Sequence, residues 1–188
     1  MTEQANEKTM RERFARINEF AEKDGVVLFG SAFFAQFPID ELAQSFGIEE
    51  PVYNRSLPNR RLKDAFADLE EGVFALKPRT VLLGLGEEDA AAPDFDLSAF
   101  LADYDRLLAL LAEKTEAKIV VLSPAGERRE DVCQGLKELA KKRGCDYVDL
   151  SDVFESENPE GRLMSRLKYE LIDGPINFYD AMNAVACR

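Results

Sequence analysis

Four acidic side chains stand where they could act together. Glu87, Glu88 and Asp89 are consecutive and follow an apolar run, while Asp173 precedes Gly174-Pro175 near the end of the chain. Two such carboxylates can hold a divalent cation through oxygen ligands. They can also share a proton, because two close carboxylates raise one pKa. The blander outcome, and the commoner one for a charge run, is a solvated acidic loop beside an Asp-Gly-Pro turn. Arg55, Arg60 and Arg61 could grip a carboxylate or phosphate in bidentate fashion, or pair with their acidic neighbours. Phe33, Phe34 and Phe37 could line an acyl pocket, although aromatics at this spacing more often belong to the core, and at least two of the three are expected there.

Composition narrows the chemistry further. The chain has no histidine, so mechanisms that need a Ser-His or Cys-His pair or a histidine metal ligand are excluded. Its three cysteines, Cys133, Cys145 and Cys187, include no CxxC, and they suit a reducing cytoplasm. With 24 Lys and Arg against 36 Asp and Glu, the formal charge is -12, which makes nucleic acid and anionic membrane poor partners. The first residues are charged and lack the apolar core of a signal peptide, and no apolar run approaches the roughly 20 residues of a membrane span. Asn54-Arg55-Ser56 matches a glycosylation sequon, read here as chance. The 188 residues suit one domain, 1–188, with 1–24 as an added N-terminal helix.

The elements that must position these groups are legible as alternating patterns. Met10, Phe14, Ile17 and Phe20 recur on one helical face, with a stop expected near Asp24-Gly25. Short apolar runs at 26–29, 81–83 and 119–122 read as strands buried on both faces, and 52–54 and 147–150 as weaker ones. Helices are expected after Pro38, after a cap at Asn59, after a cap at Asp96, and over 127–143. From Ser151 the chain is expected to be loop-rich until a short helix near 178–186. Buried strands alternating with helices predict an α/β fold with a parallel sheet. Ligands then bind at the carboxyl ends of the strands, where the loops after residues 29, 54 and 84 converge, with 173–176 placed near them.

In order and spacing these blocks resemble the SGNH (GDSL-type) hydrolases, a family of esterases and acylhydrolases. VVLFGSAFF is similar to that family's first block, VYNRSLPNR to its Asn-Arg-Gly block, KPRTVLLGLGEED to the strand ending in Gly-x-Asn-Asp, and LIDGPIN to the closing Asp-Gly-x-His. EAKIVVLSP and YVDLSDVF resemble its fourth and fifth strands. The resemblance spans about residues 25 to 180. It implies a three-layer α/β/α, flavodoxin-like fold with a five-stranded parallel sheet of order 2-1-3-4-5.

The resemblance also implies what each site position should have been. Ala32 occupies the place of the family's nucleophilic serine, and Ser56 that of the glycine whose amide serves the oxyanion hole. Glu88 replaces the asparagine that completes the hole, and Ile176 replaces the histidine base. Asp173, which would orient that histidine, is retained. A methyl cannot form an acyl intermediate and an isoleucine cannot take a proton. An ionised Glu88 would repel a developing oxyanion. Ser31 stands beside Ala32, but no base is apparent for it. The expectation is a pseudoenzyme that keeps the pocket for a small-molecule or protein partner, with Ser31, Phe33, Arg55, Glu88 and Asp173 as candidate ligand contacts and no cofactor or metal. The alternative is an active esterase using a rearranged or metal-assisted carboxylate site.

Overall fold

The computed structural model describes residues 3–126 and 129–171. Its elements run α1 (Glu3–Asn18), β1 (Val26–Gly30), α2 (Ala32–Ala35), α3 (Ile39–Ser45), β2 (Val52–Asn54), α4 (Leu62–Gly72) and β3 (Thr80–Gly84). They continue with α5 (Glu87–Ala90), α6 (Leu97–Lys114), β4 (Lys118–Leu122), α7 (Arg129–Arg143), β5 (Asp146–Val148), α8 (Ser151–Phe154) and α9 (Pro159–Leu171). All strand pairs are parallel, as the alternating pattern predicts, and the sheet order is β2-β1-β3-β4-β5, as the family resemblance implies.

The two-residue period of a strand explains the layering. Val27, Phe29, Val81, Leu83, Ile119 and Val121 face one core, built with α4, α6 and α7. Val26, Leu28, Leu82, Val120 and Leu122 face the other, covered by α2, α3, α8 and α9. The three central strands, β1, β3 and β4, are therefore apolar on both sides, and the arrangement is a three-layer α/β/α sandwich. Helix α6 starts as expected, with the Asp96 carboxylate accepting the Ala99 N–H at 3.0 Å.

Three local expectations are corrected. Helix α1 stops at Asn18, well before Asp24, and its apolar stripe is only half used: Phe14 is buried, while Ile17 and Phe20 are 39% and 87% exposed. Asn18 ends the helix in polar contacts, its side-chain amide donating to the Glu71 carbonyl at 2.7 Å. The left-handed residue in the following turn is Asp24, not Gly25. Gly25 is needed for space, since a Cβ there would lie 2.3 Å from the Pro51 carbonyl oxygen.

Asn59, with φ near 59°, turns the chain but does not cap α4. The cap comes from across the molecule, where the Asp89 carboxylate accepts the Leu62 N–H at 3.0 and 3.2 Å.

The stretch from Ser151 is helical, not loop-rich. The second face of the sheet needs a cover, and Leu163, Met164 and Leu167 supply it from one side of α9, all buried. Asn158 caps that helix by accepting the Gly161 N–H at 3.0 Å, with Pro159 in the first turn, where its missing N–H costs nothing. The helix expected near 178–186, and Cys187, lie outside the described residues.

Candidate functional site

The carboxyl ends of β1, β2 and β3 are stitched together by the main chain. Ser31 donates its N–H to the Gly84 carbonyl at 3.0 Å, and Leu57 donates to the Gly30 carbonyl at 3.1 Å. Ser31, Ala32, Ser56 and Glu88 thus all follow strand ends on one edge of the sheet. Asp173 and Ile176 lie outside the described residues.

Beside this edge is an open-sided depression of about 330 Å³. Ala32 and Phe33 line it together with Gln36, Phe37, Glu87, Pro159 and Glu160. Where the resemblance places a nucleophile, the wall carries the Ala32 methyl. Phe34 and Phe37 are buried and Phe33 is partly exposed, so two of the three aromatics serve the core.

The acidic loop divides its labour in a way that sequence position alone does not reveal. Gly86, at φ near 121°, turns the chain into α5 so that Glu87 reaches back over α2. One Glu87 carboxylate oxygen accepts the Phe33 N–H at 3.1 Å. Glu88, the residue expected to face the pocket, is half-buried and does not line it. Asp89 is occupied with the α4 cap, and burial pushes its pKa above the usual carboxylate range. The Leu62 N–H and Arg61 oppose that rise, and Asp64 adds to it. Among the described residues, no group of three or more His, Cys, Asp or Glu side chains is placed to hold a metal ion.

The two other candidate contacts turn inward. Ser31 is fully buried and its hydroxyl lies 3.4 Å from the Gly84 carbonyl. Arg55 is buried against α1, not presented to a ligand. Its guanidinium donates to Asn18 Oδ1 at 3.0 Å and lies 4.9 Å from the Phe14 ring centre and 5.3 Å from that of Tyr53. Burial lowers its pKa, Tyr53 works against that shift and Arg13 reinforces it. The aromatic faces explain how a guanidinium tolerates this site with no carboxylate beside it among the described residues.

Arg60 and Arg61 pair with acids, Arg60 with Asp68 at 3.1 Å and Arg61 with Asp94 at 3.8 Å. Arg60 does more: its guanidinium also donates to the Gly30 and Arg55 carbonyls, at 3.2 and 2.9 Å, and lies 4.1 Å over the Phe29 ring centre. Asp68 in turn meets Arg11 of α1 at 3.1 Å.

The residue that sequence reasoning underrated is Asn54. Its amide nitrogen donates to the Phe34 and Phe37 carbonyls, both at 2.8 Å, and its amide oxygen accepts the Ser56 N–H at 3.0 Å. An asparagine at the last position of a short strand is the available signal for such a local side-chain clasp. The consequence for the site is direct. The Ser56 N–H, which the resemblance assigns to an oxyanion hole, is already spent inside the protein.

No family model matches the sequence, and no curated protein sequence matches it. Solved structures do. A Streptococcus pneumonia protein named for platelet activating factor aligns with a TM-score of 0.75 and 16% identity, over 88% of this chain and 92% of its own. A GDSL-like lipase from Bacteroides thetaiotaomicron gives a TM-score of 0.66 and 14% identity over 86% and 96% of the two chains. A lipase/acylhydrolase from Enterococcus faecalis gives 0.63 and 16% over 81% and 99%. At these identities the likeness speaks for architecture, and the chain has the fold of the SGNH (GDSL-type) lipases and acylhydrolases.

Proposed function

We propose that this chain is a non-catalytic member of that hydrolase architecture, a pseudoenzyme that keeps the depression beside Ala32 for binding or regulation. The observation that carries the reading is a methyl in the wall where the fold's acyl acceptor would stand. Beside it, the Ser56 amide is consumed by Asn54. The family resemblance implies, in addition, Ile176 in place of a base and Glu88 in place of a hole-completing amide. Loss of the nucleophile or base in a serine hydrolase costs on the order of 10⁶ in rate, and removing both costs little more.

Ester hydrolysis, the activity of the named lipases and acylhydrolases, is therefore the reaction to test. Wild-type protein is expected to hydrolyse a broad panel of short activated acyl esters no faster than a heat-unfolded control, with or without added divalent metal. Ala32→Ser alone stays silent, since a serine without a base remains a weak nucleophile. Ala32→Ser with Ile176→His supplies the pair, and turnover becomes measurable only once Glu88→Asn, together with Glu87→Gln at the carboxylate that lines the depression, removes the repelling charge. Appreciable wild-type turnover, or metal-dependent turnover abolished by Glu88→Gln, would overturn the reading in favour of an active carboxylate site.

A further inference from the structure

Resting on the reading of the depression as a binding site, we infer that its ligand is a small organic cation, an alkyl- or arylalkylammonium with an apolar body. The walls decide the apolar half. Of the two aromatic residues lining the depression Phe33 is the partly exposed one: its ring meets Phe34 edge-on at 5.1 Å and Phe154 edge-on at 5.0 Å, and lies nearly parallel to Phe37 at 6.5 Å. Those contacts fix the ring in place. With the Ala32 methyl and Pro159 it forms a surface that accepts hydrocarbon and whose π-face attracts positive charge.

The charged half comes from Glu87 and Glu160. They are the only charged residues lining the depression, among the described residues, and both are acidic. Glu87 is held in position by the Phe33 N–H on one oxygen, at 3.1 Å, so its carboxylate stands preplaced next to the aromatic wall. A carboxylate or phosphate ligand would meet two like charges on a chain of net charge -12. A hard divalent metal wants six or more oxygen ligands, and two carboxylates, one on α5 and one on α9, do not supply them. The volume of about 330 Å³ sits at the small end of ligand sites and suits a molecule of roughly a dozen heavy atoms, not a lipid or polymer.

The test uses benzyltrimethylammonium as the cation, with phenylacetate and benzyl alcohol as anionic and neutral counterparts, titrated into the full chain by calorimetry or ligand-observed NMR. Expected is millimolar or tighter binding of the cation, with both counterparts at least about tenfold weaker. Glu87→Gln, which keeps an acceptor for the Phe33 N–H, and Phe33→Leu should each weaken cation binding about fivefold, with unchanged thermal melts. Glu160→Gln, on an exposed position that cannot disturb the fold, should weaken it about threefold. Binding of phenylacetate or benzyl alcohol as tight as the cation overturns the inference. So does cation binding indifferent to all three variants, or no binding of any probe. These failures, with the ester panel silent, leave the non-catalytic reading standing; wild-type ester turnover removes that reading whatever the cation does.

Discussion

Asn54 concentrates more consequences in one side chain than any residue with a catalytic counterpart in the fold. Three hydrogen bonds hold the turn after β2 to the backbone of α2 and its exit. Asn54→Ala leaves two carbonyls and one N–H to find other partners, and is expected to cost about 2–3 kcal/mol in urea unfolding. Asn54→Asp should cost at least as much, because a carboxylate cannot donate to the Phe34 and Phe37 carbonyls.

Asp89 makes a different residue-scale statement. Its carboxyl ionises about pH 4 in the unfolded chain and at higher pH in the folded one, where burial resists the charge. The folded state therefore holds the proton more tightly, so its stability falls as pH rises from about 4 through the raised folded value. Asp89→Asn keeps an acceptor for the Leu62 N–H without the titration. The stability of wild type relative to this variant should decline over that window and level off above it, read from urea midpoints at steps between pH 4 and 7.

These roles were not legible beforehand. The Asp89 carboxylate and the α4 terminus it caps lie 27 residues apart in sequence, and Arg60 holds the Gly30 carbonyl across a gap of 30. Spacing rules describe neighbours on one element and say nothing about a cap delivered from another loop. The choice between Glu87 and Glu88 turned on a single backbone angle at Gly86, which residue type allows but does not specify.

At the scale of elements, the legible parts were those whose burial is complete. The three central strands were visible because a layer covered on both sides demands an unbroken apolar run, whereas β2 and β5, short and less buried, read only as weaker strands. Helix α6 was visible through its long stripe and its Asp96 cap. Helix α1 was misjudged because Met10, Phe14, Ile17 and Phe20 follow a correct helical spacing that the fold only partly uses. Phe20→Ser should consequently change stability by no more than about 0.5 kcal/mol, since nothing packs over it.

Helix α9 was missed in the opposite direction. Its Leu163, Met164 and Leu167 spacing is short, yet these side chains are wholly buried against the sheet. Leu167→Ala should cost about 2–5 kcal/mol by thermal or urea unfolding. A value near zero would mean that α9 does not complete the second core.

For the whole molecule, the net charge of -12 is a standing self-repulsion that folding concentrates. Several acids are neutralised in pairs that join elements, such as Asp105 of α6 with Arg143 of α7 at 2.6 Å and Asp152 of α8 with Arg166 of α9 at 2.8 Å. The remaining excess should make the fold more stable as salt is raised from a few millimolar to about 0.15 M, where the Debye length shrinks to about 8 Å. A thermal melt that falls over this range would show that the attractive pairs outweigh the repulsion. Among the described residues, no helix is long and apolar enough to cross a membrane.

The strand order also governs how the chain can assemble in time. Strand β1 is made early but cannot pair on its inner side until β3 arrives, with Val26 opposite Thr80 and Gly30 opposite Gly84. Until then the Val26–Phe29 run has only the three-residue β2 beside it. Parallel pairing of this kind closes long loops before any reward is gathered, which makes refolding slower than that of a helical domain of similar stability. On a ribosome, a nascent chain ending before residue 84 would carry its most apolar strand uncovered. That interval is when a chaperone would have most to hold, and when two such chains could pair with each other instead.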